Sequence, residues 1–125
     1  MGDATAEFFD ELARRGREPL LEKATGTLRF DLVDGKRIER WRVAIEKGDV
    51  TVSRKNAAAD CVVRTEKSVF ESLARGELQM LTAFLRGLMR LEGEGELLVL
   101  FQRVFPGPPT SRDKRRVAGS ARRKR

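Results

Sequence analysis

The sequence predicts an α+β fold, in which one five-stranded, mainly antiparallel sheet carries helices on one of its faces. First, residues 28–52 alternate between apolar and polar side chains and contain short glycine turns, as in an antiparallel meander. Second, three later segments space their apolar residues as helices do and are separated by glycines. Third, strands and helices come in blocks, whereas strict alternation would predict a parallel sheet.

The first predicted element is a helix near the N-terminus. Asp3 or Thr5 can accept hydrogen bonds from its first free amides, and Gly16 favours the left-handed backbone that ends a helix. Its apolar side chains are Phe8, Phe9 and Leu12. Residues 18–24 then predict either a further helical turn or a connector.

Three strands are predicted next. Apolar and polar side chains alternate over residues 28–32 and again over residues 41–45. Asp34-Gly35 between them is a typical hairpin turn, and residues 47–49 turn the chain into a third strand at residues 50–52. Such short turns indicate antiparallel neighbours, because parallel neighbours need long crossovers.

The second half predicts a strand, two helices, a strand and a final helix. Residues 60–65 are typical of a strand, and Ser68 with Glu71 matches a capping box for a helix that ends at Gly76. The remaining elements are a helix over residues 77–86, a strand over residues 88–93 and a helix over residues 95–105. A strand, two helices and a strand form a crossover unit, which allows its two strands to pair in parallel.

The net charge of +7 comes from the C-terminal end of the chain. Residues 110–125 contain eight Lys or Arg and one Asp, whereas residues 1–109 carry equal numbers of each sign. The end segment has too few apolar side chains to bury a core, so we expect it to be disordered. The sequence therefore predicts a folded domain at residues 1–109 and a disordered basic tail at residues 110–125.

The missing residue types argue against an enzyme. The sequence has no histidine and a single cysteine, which removes the commonest general base and zinc sites of the Cys/His type. It also lacks the glycine-rich phosphate-binding motifs of nucleotide enzymes. Cys61 lies within a predicted strand, which is typical of a small buried side chain rather than a reactive thiol. We expect no catalytic residue, metal or cofactor.

The sequence also predicts a soluble protein of the cytoplasm. The sequence contains no run of about 18 apolar residues, which a membrane-spanning helix would need. The acidic start of the chain does not resemble a secretory signal, and a single cysteine is consistent with a reducing compartment.

Scattered positions along residues 1–105 carry a resemblance to a known family. They are Gly26, Phe30, Gly35, Trp41, Ala59-Asp60-Cys61, Phe70, Leu73, Gly76, Ala83-Phe84, Gly87 and Gly93. In order and spacing they resemble the sterol carrier protein 2-like (SCP-2 sterol transfer) domain family. The resemblance implies a five-stranded sheet covered by helices, enclosing an apolar cavity or tunnel for sterols or fatty acyl chains. It also implies binding and transfer of lipid without catalysis.

The chain departs from the family pattern in two places. Leu78-Gln79-Met80 stands where many members have Asn-Pro. The C-terminal residues RRKR differ from the import signal of some peroxisomal members. The lipid and the compartment are therefore not inferred from the best-known members.

Three helical segments have apolar faces wider than the usual core stripe. They cover residues 69–75, 78–86 and 95–105 and include methionines and aromatic rings, which are common in adaptable pockets. Together with the resemblance, they predict as ligand-binding residues Phe70, Leu73, Met80, Leu81, Phe84, Leu85, Leu98, Phe101, Gln102 and Phe105. We expect a charge at Phe101 to abolish lipid uptake and removal of the tail to leave uptake intact.

Polar side chains near these faces have two interpretations. Gln102 can hydrogen-bond the head group of a lipid or face solvent. Arg86 and Arg90 can bind a carboxylate or phosphate head group or form surface ion pairs.

Other hypotheses remain open for the whole chain. The apolar faces also suit a filled core, in which case the body is an accessory or dimerisation module. The basic residues of Arg112–Arg125 can attract an anionic membrane surface, stay solvated or neutralise nucleic-acid phosphates. Nucleic-acid binding is the weaker alternative, because no aromatic side chain is interleaved with the basic ones. The sequence does not determine the oligomeric state.

Overall fold

The computed structural model describes residues 3–106, so the predicted domain boundary at residue 109 and the predicted disordered tail lie outside the described residues. The helices are α1 (Ala4–Arg15), α2 (Lys67–Arg75), α3 (Met80–Leu85) and α4 (Gly95–Phe101), with 3-10 turns at Pro19–Leu21 and Gln102–Val104. The strands are β1 (Thr25–Asp34), β2 (Arg37–Glu46), β3 (Asp49–Ser53), β4 (Cys61–Glu66) and β5 (Met89–Gly93).

The five strands form one sheet in the order β3-β2-β1-β4-β5, which confirms the predicted α+β fold with a mainly antiparallel sheet. Among the strands of residues 3–106, only β1 and β4 pair in parallel. The parallel pairing that a β4–α2–α3–β5 unit allows does not occur, because Met89 at the start of β5 lies opposite Thr65 at the end of β4. Two successive helices return the chain to the end of the sheet that it left, and β5 must then run antiparallel.

The parallel pair arises from the connection between β3 and β4. Residues 54–60 cross the sheet from its β3 edge to the far side of β1. Arg29 Nη1 donates to the carbonyl oxygen of Ala57 at 3.1 Å, and Arg42 Nε donates to that of Ala58 at 3.3 Å. Both arginines alternate with core residues, so this connection lies on the sheet face opposite the helices.

The core lies between the other face of the sheet and the helices. Phe9 of α1 stacks on Trp41 of β2 with ring centroids 4.6 Å apart, and on Phe70 of α2 at 5.2 Å. Phe30 of β1 contacts both Phe70 and Phe101, in each case at 5.5 Å. These rings are almost completely buried, so a continuous aromatic cluster joins the sheet to three helices.

The predicted helix ends are partly confirmed. Asp3, rather than Thr5, caps α1, since its carboxylate accepts from the amides of Thr5 and Ala6 at 3.0 and 3.2 Å. Gly16 ends α1 with a positive φ of 67°. The predicted capping box at Ser68 is wrong, because α2 begins at Lys67, directly after β4, so that Ser68 lies inside the helix.

Lys67 holds the start of α2 in place of a side-chain cap. Its ammonium group lies 2.9 Å from a carboxylate oxygen of Asp3 and 3.0 Å from one of Glu39. The Glu39 carboxylate also accepts from the indole of Trp41 at 2.6 Å. This network connects α1, α2 and β2 at one end of the sheet.

We expect this network to make stability depend on acid pH. The hydrogen bond from Lys67 holds the pKa of Asp3 below its ordinary value of 3.8. The stabilisation is therefore present above the pKa of the unfolded chain and is lost as pH falls through the lower folded pKa. Lys67→Met should lower the free energy of unfolding by about 1 kcal/mol at neutral pH, and this difference should shrink in acid. Denaturant unfolding over a pH series measures it.

The control for this prediction is Lys36→Met, which removes an exposed cation in the turn between β1 and β2. The free energy of unfolding of this variant should differ from that of wild type by the same amount at every pH near the pKa of Asp3. If the Lys67→Met and wild-type curves instead stay parallel through the acid range, the network does not link protonation to folding.

Candidate functional site

An apolar groove of about 410 Å³ lies between α3, β5 and α4. Its lining residues are Met80, Leu81, Phe84, Met89, Leu91, Gly95, Leu98, Val99 and Gln102. Gln102 is the only polar side chain among them. The groove therefore suits an aliphatic chain, with a single amide available for one polar group.

The groove exists because the sheet ends at β5. Met89 and Leu91 alternate with outward-facing residues, so both side chains face the helix side of this edge strand. Gly95 starts α4 where a Cβ atom would lie 3.0 Å from Leu91 Cδ2, so the glycine allows α4 to approach β5 closely. Leu98 lies on the same side of α4 as Gly95, because a three-residue spacing shares a helix face, and Gln102 follows as the first residue of the 3-10 turn.

The walls of this groove are unusually exposed for apolar side chains. Leu81, Phe84 and Val99 are 62%, 47% and 57% exposed, and Leu85 beside them on α3 is 74% exposed. These are four of the five exposed large apolar side chains among residues 3–106, and Leu20 is the fifth. Concentrated apolar exposure of this kind indicates a binding surface.

The structure brings five of the ten predicted site residues together. They are Met80, Leu81, Phe84, Leu98 and Gln102. The other four lining residues are not among the ten predicted site residues: they are Met89, Leu91, Gly95 and Val99. Two signals could have found them: the alternation in β5, and the spacing of residues 95, 98, 99 and 102, which forms a second stripe on α4.

The other five predicted site residues lie elsewhere. Phe70, Leu73 and Phe101 are buried in the core, and the first and last belong to the aromatic cluster. Phe105 is half-buried and stacks on Phe8 of α1 at 4.8 Å. Leu85 is exposed on α3 but is not part of the groove lining.

Neither predicted head-group arginine lines the groove. Arg90 alternates with Met89 and Leu91, so its side chain leaves β5 on the opposite face of the sheet, where it lines a polar hollow with Arg29 and Arg64. Arg86 is the exposed residue that follows α3.

A profile of the SCP-2 sterol transfer family matches residues 9–106. The chain belongs to this family. The resemblance stated from the sequence is thereby confirmed over residues 9–106.

Solved structures of SCP-2 proteins share the fold. A sterol carrier protein 2 from Aedes aegypti in complex with palmitate has a TM-score of 0.64 and 20% sequence identity, covering 85% of this chain and 100% of that one. Sterol carrier protein 2-like 2 from Aedes aegypti has a TM-score of 0.61 and 16% identity, covering 81% and 95% of the two chains.

A similar fold occurs within a larger enzyme. The stereoselective inverting sec-alkylsulfatase from Pseudomonas sp. has a TM-score of 0.63 and 22% identity to this chain, with 79% of this chain covered. The match spans only 16% of the sulfatase. This SCP-2 chain therefore corresponds to a small part of that enzyme.

Asp60, which lies within the SCP-2 pattern of the sequence, positions the groove. A carboxylate oxygen of Asp60 accepts from the amide of Thr27 at 2.9 Å, which fixes the start of β4 against β1. The carbonyl oxygen of Asp60 accepts from the amide of Glu94 at 2.9 Å, just before α4. The beginning of α4, and hence one wall of the groove, is thus set by the joint between β1, β4 and β5.

The described part of this SCP-2 chain shows no feature of a metal or thiol site. Within residues 3–106 no group of three or more His, Cys, Asp or Glu side chains is arranged to hold a metal ion. Cys61 is buried, and burial raises the pKa of its thiol to about 11, with smaller contributions from Glu94 and Asp60. No helix in this same part of the chain is long and apolar enough to span a membrane.

Proposed function

We propose that this protein binds the aliphatic part of a lipid in the groove between α3, β5 and α4, and carries it without chemical reaction. The observation that carries the proposal is the apolar groove itself, whose walls leave large side chains exposed. The Aedes aegypti structure with palmitate supports the proposal by analogy, since that protein shares the fold. A sterol or fatty acyl chain is the class of ligand that such a lining favours.

The dimensions and side chains of the groove agree with this function. Its volume of about 410 Å³ falls in the range of ordinary small-molecule pockets, roughly 300–1,000 Å³. Each ligand methylene that leaves water contributes about 0.8 kcal/mol, so five of them account for about a thousandfold in affinity. Met80 and Met89 have flexible side chains, which allow the groove to fit chains of different shape.

Selectivity for the head of the ligand would come from Gln102. Its amide can donate to a carboxylate or accept from a hydroxyl, so it suits both a fatty acid and a sterol. An enclosed tunnel is a further part of the proposal: α3 and α4 would close over a bound chain and bury the exposed faces of Leu81 and Val99.

The matched pair Leu81→Asp and Leu85→Asp tests this proposal. Both leucines are exposed on α3, but only Leu81 lines the groove. A carboxylate at residue 81 would have to lose water when an apolar chain binds. We expect Leu81→Asp to weaken binding of palmitate at least tenfold, and Leu85→Asp to leave it unchanged. Displacement of a fluorescent fatty acid by palmitate measures both.

Native mass spectrometry of the purified protein provides an independent measurement. We expect a bound mass in the range of a fatty acid or sterol, at one per chain. A protein that carries no lipid and does not take up palmitate or cholesterol would overturn the proposal and favour an accessory or dimerisation module with a filled core.

A further inference from the structure

Helix α3 presents its apolar side chains on both sides. Met80 and Ala83 are buried against the body, whereas Leu81, Phe84 and Leu85 face solvent. The last three share a face, because they are three and four residues apart. A helix on the surface of a globular domain normally directs charged or polar residues outward. The exposed face of α3 therefore indicates a partner that accepts apolar side chains.

The charges around α3 indicate the chemistry of that partner. Residues 78–91 contain no acidic residue, and of their two arginines only Arg86 lies beside α3, because Arg90 leaves β5 on the opposite face of the sheet. Arg86 is exposed directly after the helix. A basic side chain beside an apolar face is the pattern that an anionic lipid surface attracts. A segment with this composition suits the boundary between head groups and acyl chains.

The size of the surface argues against a second copy of the chain. Six residues of helix are about 9 Å long, whereas a stable protein interface buries about 800 Å² on each partner. Three side chains can instead insert singly between lipid head groups, where no complementary protein surface is needed. A bilayer is therefore the better match for a patch this small.

We propose that α3 is a membrane-docking helix, which inserts Leu81, Phe84 and Leu85 into the surface of an anionic bilayer with Arg86 at the head groups. Leu81 and Phe84 also line the groove. Docking therefore turns the opening of the groove toward the lipid, so that an aliphatic chain passes between bilayer and groove with little exposure to water. Docking itself does not depend on the lipid-binding function proposed above. Only the delivery of a ligand to the groove rests on that function.

Leu85→Asp tests the docking helix separately from the groove, because Leu85 is exposed but does not line the groove. The full chain is sedimented with vesicles of phosphatidylcholine and phosphatidylglycerol in 1 M salt, where the Debye length of about 3 Å screens both the basic residues 110–125 and Arg86. The assay therefore measures the insertion of the apolar side chains. We expect Leu85→Asp to weaken vesicle binding at least tenfold while palmitate binding stays unchanged.

The matched control is Leu20→Asp, which charges an exposed leucine outside α3 and outside the groove lining. It should bind vesicles as wild type does. Equal vesicle binding by wild type and Leu85→Asp would overturn the docking proposal, and palmitate binding would still report on the groove. If Leu85→Asp binds vesicles normally but loses palmitate binding, Leu85 belongs to the groove and not to a docking surface, and the docking proposal is overturned.

A nitroxide label on Leu85→Cys gives the depth of insertion directly. Cys61 is buried with a raised thiol pKa, so a maleimide label reacts with the new cysteine alone. We expect the label to become accessible to oxygen and protected from a water-soluble relaxant when vesicles are added, whereas a label on Leu20→Cys stays in water. Membrane docking would be overturned if the labels at residues 85 and 20 both stay in water. It would also be overturned if the wild-type protein is a dimer and Leu85→Asp dissociates it.

Discussion

Replacing Phe101 with aspartate is expected to unfold the protein. The side chain of Phe101 is completely buried and contacts the rings of Phe30 at 5.5 Å and Phe105 at 5.7 Å. An unpaired carboxylate in this cluster would cost several kcal/mol, and the stability of a typical domain is only about 5–15 kcal/mol. Phe101→Ala should lower the free energy of unfolding by about 3–5 kcal/mol. Denaturant unfolding followed by circular dichroism measures both effects.

Val99→Asp on the same helix is the matched control. Val99 lines the groove and is exposed, so we expect this variant to fold with nearly wild-type stability and to lose palmitate binding. The sequence predicted that a charge at Phe101 abolishes lipid uptake, and the structure changes the expected cause from a blocked site to a lost fold. If Phe101→Asp folds normally, the aromatic cluster does not carry the stability assigned to it.

Replacing Gly93 with alanine is expected to separate β5 from the sheet. Gly93 has a φ of 94°, and an added Cβ atom would overlap the carbonyl oxygen of Asp60 and lie 3.3 Å from Cys61 Cα. Both contacts are with backbone, so no side-chain rotation relieves them. We expect a loss of at least about 3 kcal/mol, which combines backbone strain with the broken joint between β4 and β5.

Gly87→Ala separates the cost of the backbone angle from the cost of the overlap. Gly87 has a φ of 74°, but an added Cβ atom meets nothing within 4 Å, so the expected loss is about 1 kcal/mol. Hydrogen exchange should show faster exchange at the amides of residues 89–93 in Gly93→Ala alone. Equal losses in the two variants would contradict the role assigned to the Asp60 joint.

Most of the elements follow from local patterns in the sequence. The period of two over residues 28–52 and the turns at Asp34-Gly35 and residues 47–49 correctly predict the meander of three strands. Helix positions follow from apolar spacing and from glycines with positive φ, such as Gly16 and Gly76. Helix lengths are less predictable: α3 and α4 are shorter than expected, because helix ends depend on neighbouring elements as well as on propensity.

The points of the fold that the sequence left open or predicted wrongly have a common cause. The direction of β5 depends on where two helices return the chain, and the start of α2 depends on Lys67, which binds carboxylates from α1 and β2. These contacts join residues that are 28 and 64 positions apart in the chain. Such a separation leaves no local pattern in a single sequence.

The sequence by itself determined the fold class, the family and the supply of apolar side chains, because periodicity and glycine positions are local properties of the chain. Only the tertiary structure decided which apolar faces are filled and which stay open. Phe70, Leu73 and Phe101 have the same helical spacing as Leu81 and Phe84, yet the first three are buried in the core, whereas Leu81 and Phe84 stay exposed along the space beyond the last strand. An apolar stripe shows that a surface must be covered, but what covers it depends on the position of the sheet edge. Here the sheet ends at β5, and α3 and α4 border the groove beyond it.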